Sequence, residues 1–136
     1  MQRIIFIIPF LLLIYSCNQK STNHEKYVTM VTSRFVDLDI ETFADVKCAD
    51  FEKYFSDFQT KVIRDSIIIT QIITYLNDGK TAGKEYYQNV DTRIKLELKY
   101  NNDSVEIICM DRFIFQRNNQ LLINTDSLKY LLTLTE

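Results

Sequence analysis

Arg93-Ile94-Lys95-Leu96-Glu97-Leu98-Lys99-Tyr100 decides the fold. Aliphatic and aromatic residues take every second position, and charged residues take the positions between. A period of two marks a strand with one face buried and the other wet. Sheets with a wet face are antiparallel as a rule. The next residues agree: Asn101-Asn102-Asp103 is turn chemistry, and Val105 to Met110 returns as the second arm of a hairpin. Phe113 to Gln116 and Gln120 to Ile123 flank Arg117-Asn118-Asn119 and read as a second hairpin. Turns this short leave no room for the crossovers that parallel strands need.

Upstream of that stretch, Val36, Leu38 and Ile40 alternate with Asp37, Asp39 and Glu41. This predicts another half-buried strand, entered from Tyr27 to Phe35, and Gln59 to Arg64 predicts a short one. Phe51, Tyr54, Phe55 and Phe58 recur at helical spacing after Asp50. Asp65-Ser66 precedes Ile67, Ile68, Ile69, Ile72, Ile73 and Leu76, with Gly79 closing, which predicts a capped helix. Its isoleucines pull the other way, because β-branching favours strands. Asp78 to Asn89 is a polar loop holding both glycines of the chain. Asp126 or Ser127 is expected to cap a last helix containing Leu128, Leu131 and Leu132. The expected class is α+β: a mainly antiparallel sheet of about four to six strands, with two or three short helices on one face.

The start of the chain has a different character. Met1-Gln2-Arg3 is a short basic beginning, and Ile4 to Tyr15 is apolar, interrupted only by Pro9. A spanning helix needs roughly 20 residues, and this run has about 12, the length of a secretory apolar region. Leu13-Ile14-Tyr15-Ser16-Cys17 closes it. That segment resembles the lipobox of bacterial lipoproteins, with an aliphatic residue at −3, a small residue at −1 and the obligatory cysteine. Tyr15 is bulkier than the usual residue at its place. The resemblance implies a diacylglyceryl group on the Cys17 sulfur, cleavage after Ser16 and, as a rule, acylation of the new amino terminus. Two or more acyl chains give stable attachment where one does not. Residues 1–16 are therefore read as signal peptide, 17–26 as a polar tether, and 27–136 as one small domain.

Removing Ser16 and everything before it turns three cysteines into a lipidated one and an even pair, Cys48 and Cys109. In an oxidising compartment the pair is either a disulfide or two reduced, buried thiols. A bridge would close a loop of about 60 residues, worth roughly 4 kcal/mol in the chain-entropy picture. No CxxC pair is present, which excludes a thioredoxin-type motif.

Charge excludes other classes. The 16 basic and 18 acidic residues form no long run of one sign, so there is no nucleic-acid footprint. His24 is the sole histidine and lies in the tether, which removes Ser–His and Cys–His nucleophile systems and multi-histidine metal sites from the domain. Asp37, Asp39 and Glu41 would share one strand face and are weak candidates for a hard cation; the alternative is a solvated face paired with Arg93, Lys95 or Lys99. Gly79-Lys80-Thr81-Ala82-Gly83-Lys84 misses the phosphate-loop spacing by one residue, and Glu85 stands where Ser or Thr is required. Phe113, Phe115, Tyr86 and Tyr87 are either core or an exposed recognition patch. Asp65-Ser66-Ile67, Asp103-Ser104-Val105 and Asp126-Ser127-Leu128 resemble the Asp-Ser/Thr-apolar site of Bacteroidetes-type protein O-glycosylation; the plainer reading is two helix caps and a turn. No cofactor is implied.

Two functional expectations follow. The first is a non-catalytic binding or accessory lipoprotein facing the periplasm and engaging another envelope protein, with a toxin-neutralising immunity protein as one concrete form. The second is an envelope enzyme or small-ligand binder using clustered carboxylates. By similarity to the enterobacterial sorting rule, Asn18 in place of Asp favours the outer membrane. Bacteroidetes-type surface export resembles a signal with acidic residues soon after the cysteine. None precedes Glu25, which favours the periplasmic side.

Overall fold

The computed structural model describes residues 25–86 and 89–134. Six strands form one antiparallel sheet: β1 (Val28–Phe35), β2 (Gln59–Ile63), β3 (Ile94–Tyr100), β4 (Val105–Met110), β5 (Ile114–Arg117) and β6 (Gln120–Ile123). Their order is β2-β1-β3-β4-β5-β6. The helices are α1 (Phe51–Tyr54), α2 (Ser66–Asn77) and α3 (Asp126–Thr133). The fold is α+β with a wholly antiparallel sheet, and the run at 93–100 supplies its central strand β3.

Register explains which face is buried. Ile94, Leu96 and Leu98 stand opposite Met110, Ile108 and Glu106 on one side, and Leu98 and Leu96 stand opposite Val31 and Ser33 on the other. This face packs under Ile69, Ile72 and Leu76 of α2 and Leu128 and Leu132 of α3, forming the main core. The spacing of the three α2 residues is a helical stripe, and burying it outweighs the strand preference of its isoleucines. Asp65 caps α2 by accepting hydrogen bonds from the Ile67 and Ile68 amides, at 2.8 and 3.1 Å. For α3 the cap is Thr125, whose side chain accepts from the Leu128 amide; Asp126 and Ser127 already lie inside the first turn.

The opposite face is not bare. Lys95 points there and reaches both carboxylate oxygens of Glu52 on α1, at 2.9 and 2.8 Å. Cys109, which pairs with Lys95 in register, is bonded to Cys48 just before α1, with Cα atoms 5.7 Å apart. A second small core of Val46, Phe51 and Phe55 forms around α1. Thus α2 and α3 share one face as expected, and α1 occupies the other.

The alternating run at 36–41 is not a strand. β1 ends at Phe35, and the chain turns at Leu38 and Asp39. Asp37 drives the turn: its side chain accepts from the Asp39 amide at 2.9 Å, and its carbonyl accepts from the Ile40 amide at 3.2 Å. Side-chain-to-backbone bonds of this kind compete with a sheet ladder. The segment is then clamped by Arg93, which is almost fully buried. Its guanidinium donates to both Asp91 carboxylate oxygens (2.6 and 2.7 Å), to the Ile40 carbonyl and to Thr42 Oγ1.

The turn between β5 and β6 places Asn118 and Asn119 at φ 51° and 59°. Two successive left-handed residues make the hairpin turn that matches strand twist, and asparagine tolerates it. The loop after α2 does not cradle an anion. Its residues 80–82 run beside β6, where the Ala82 amide donates to the Leu121 carbonyl and the Ile123 amide to the Lys80 carbonyl.

Candidate functional site

Cys17 lies outside the described residues. Asp37, Asp39 and Glu41 share no strand face, because the run that carries them is a turn; no carboxylate trio is assembled there. Asp37 is spent on that turn, and Asp39 pairs with Arg112. The cations expected opposite them are engaged elsewhere: Arg93 with Asp91, Lys95 with Glu52, and Lys99 with Asp103. Among the described residues no three metal-ligating side chains converge.

A small hollow of about 260 Å³ is lined by carboxylates from separate segments, Asp39, Asp91 and Asp111, which do not converge on a common point. Burial raises the Asp111 carboxyl above its usual range, and the charge of Asp91 adds to this, although the Ile114 and Phe113 amides pull the other way. Such a carboxyl is proton-holding chemistry in principle. Here its Oδ1 accepts from both of those amides, at 2.6 and 2.7 Å, and so fixes the turn into β5. Asp91 and Asp39 are held in ion pairs. The hollow is also smaller than the roughly 300–1,000 Å³ usual for ligand sites. Its carboxylates hold loops together.

The proposed O-glycosylation serines occupy three separate places. Ser66 is exposed in the first turn of α2, and Ser127 is exposed in the first turn of α3. Ser104 is half-buried in the β3–β4 turn and donates to Asn102 Oδ1 at 2.7 Å. The four aromatics do not make one patch: Phe115 is fully buried under the helices, Phe113 is 55% exposed, Tyr86 is half-buried, and Tyr87 is outside the described residues. Phe115 shares the phase of the core face, and burial of a large ring there outweighs any surface role.

The larger polar site was not foreseen from sequence. At one end of the sheet the helix layer stops short, leaving Val28, Tyr100, Glu106 and Arg117 on the helix-side face beyond the main core. A cleft of about 670 Å³ opens there, walled by α2 through Ile69, Thr70, Ile73 and Thr74. Arg117 donates to both Glu106 carboxylate oxygens (2.8 and 3.3 Å) and to Asn77 Oδ1 at 2.6 Å. The Tyr100 hydroxyl donates to Glu106 as well, and Lys26 stacks on the Tyr100 ring, 3.9 Å from its centre.

Burial works to raise the Glu106 carboxyl. Hydrogen bonds from Arg117 and Tyr100, with the charges of Arg117 and Lys26, overcome this and hold it below its ordinary value. The Tyr100 hydroxyl is raised, by burial first and by the adjacent carboxylate second. The signal for this site was present in the phase. Glu106 shares its phase with Ile108 and Met110, and Arg117 with Phe115, so each polar group falls on an apolar face. Only the register against β3 shows that these, rather than Val105 and Ile107, point toward the helices.

A second groove of about 610 Å³ runs between α2 and α3, lined by Tyr75, Tyr130 and Leu131. No protein-family profile, no curated protein and no solved structure matches the chain. No helix among the described residues is long and apolar enough to cross a membrane.

Proposed function

We propose that the protein is a bacterial envelope lipoprotein: a non-catalytic binding or accessory protein, held by lipid on Cys17 to the periplasmic side of the outer membrane. The observation that carries this reading is the order Arg3, apolar run, Leu13-Ile14-Tyr15-Ser16-Cys17. The lipid supplies the address, and the domain supplies a surface for another envelope protein.

The start of the described domain fits a tethered role. The Tyr27 amide donates to Asn101 Oδ1 at 3.3 Å, and Asn101 Nδ2 donates to the Glu25 carbonyl at 3.1 Å, so the incoming chain is tied to the β3–β4 turn. That end of the sheet is the one nearest Cys17 along the chain. Nine residues separate Cys17 from Tyr27, a reach of at most roughly 35 Å to Tyr27 when extended.

The anchor is tested by replacing Cys17 with Ser and growing cells with labelled palmitate. Wild type is expected in the membrane fraction with incorporated label, and Cys17→Ser without label. Equal incorporation in both removes the lipid anchor. The binding role is tested by crosslinking intact envelopes and isolating the protein. Recovery of no reproducible partner counts against it.

A further inference from the structure

The cleft at the uncovered end of the sheet has a chemical character of its own. Its floor and wall are apolar: Val28, Ile69, Ile73 and the face of Tyr100. Its lining includes three cations, Lys26, Arg64 and Arg117, and no carboxylate. Arg117 is ion-paired with Glu106 behind it, and the field of that carboxylate also reaches Lys26. Among the described residues, Lys26 and Arg64 have no carboxylate within ion-pairing distance. Threonine hydroxyls at 29, 70 and 74 also line the wall, and each already donates to a backbone carbonyl. The volume falls within the usual range for small-molecule sites, which combine an apolar body with a few placed polar groups.

We infer that this cleft binds an anionic amphiphile, with its apolar chain against Val28, Ile69 and Ile73 and its acidic head between Lys26 and Arg64. Charge complementarity selects the head, because two cations without an ion-pair partner among the described residues, at an apolar opening, favour an anion over a neutral group of the same shape. Hydrophobic burial selects the body, because the chain leaves water as it covers these side chains. A free fatty acid and an acidic phospholipid present the same chemistry. The inference deepens the binding role proposed above and depends on the lipid anchor only for the source of the ligand, since the cleft opens at the end of the domain nearest Cys17 along the chain.

Photolabelling of the full chain in isolated membranes tests it. Three probes are used: a long-chain fatty acid with a diazirine in its chain, the matching fatty alcohol, and a phosphatidylglycerol with the same chain. Peptides carrying Val28 and Ile69 to Thr74 are expected to take the acid probe roughly tenfold better than the alcohol, the value of one charge-assisted contact. Arg64→Glu is expected to lower that labelling by a similar factor. Thr70→Trp, which changes an exposed position and fills the cleft, is expected to abolish it while the Cys48–Cys109 bond persists on a non-reducing gel. Labelling of the same peptides by phosphatidylglycerol alone supports the inference and names the bilayer as the source. Equal labelling by acid and alcohol overturns it, as does labelling confined to peptides outside the cleft. Cys17→Ser protein recovered in the soluble fraction separates the two readings. If wild type is not lipidated but this protein still takes the acid probe, only the anchor fails; anchored wild type without cleft labelling defeats the ligand alone.

Discussion

Single residues carry more of this structure than their chemistry suggests. Gly79 has a negative φ, so its role is close approach and not a left-handed turn. A Cβ there would sit 3.0 Å from the Phe115 ring and 3.3 Å from Leu122 Cβ. Phe115 is fully buried and has nowhere to retreat. Gly79→Ala is therefore expected to destabilise by about 1–2 kcal/mol, as overpacking does, measured by urea denaturation; unchanged stability would show that the loop moves freely away from the sheet.

Glu106 makes a pH-dependent contribution at the same scale. Its folded value is depressed, so the stability it confers is full above the ordinary glutamate value of about 4.3 and is lost as pH falls through the folded value. Tyr100 behaves in the opposite sense. Its hydroxyl is raised, so its contribution is full below about 10 and is lost as pH climbs through the raised value. Glu106→Gln is expected to cost about 1.5 kcal/mol at pH 7, because the neutral amide offers Arg117 one acceptor oxygen in place of two and removes the charge that assists the contact. The gap between variant and wild type should close toward pH 3. A gap that stays constant from pH 7 to 3 would show that the charge on Glu106 is not what stabilises the cluster.

At the scale of elements, α1 depends on links that α2 and α3 do not need. It is a single turn, too short to persist alone. Three things hold it to the sheet: the Val46–Phe51–Phe55 cluster, the Lys95–Glu52 pair and the disulfide. The bridge spans 61 positions and is worth roughly 4 kcal/mol through the unfolded chain. Cys48→Ala with Cys109→Ala is expected to lower global stability by about that amount, and hydrogen exchange should quicken first at residues 46–55. Uniform quickening across α2 as well would mean that the two cores act as one unit. Much at this scale was legible in sequence: the bounds of β4 and β6 follow from short, largely apolar runs set beside turn residues. The run at 36–41 misled because alternation reports period and not hydrogen bonding, and Asp37 gave the backbone a local partner. The cleft was hidden for a related reason. Glu106 and Arg117 acquire their meaning only from cross-strand register, which depends on how the whole sheet is paired.

For the whole molecule, the proposed anchor has a geometric consequence. The chain enters at the β3–β4 turn, where Asn101 holds Glu25 and Tyr27. β3 runs away from that turn for seven residues, about 23 Å at strand rise. Arg112, between β4 and β5, lies near its far end, because Ile94 pairs with Met110. Lipid on Cys17 therefore predicts that the turn at Asn102 faces the bilayer more closely than Arg112 does. Donor dyes placed at Asn102→Cys or Arg112→Cys, in lipidated protein on vesicles containing acceptor lipid, should show more energy transfer from the first site than from the second. The short tether makes the difference measurable, since it keeps the near end within roughly 35 Å of the surface. Equal transfer from both sites would mean that the domain tumbles freely on its tether or lies flat. In either case the cleft opening beside Lys26 and Arg64 would lose its privileged access to lipid.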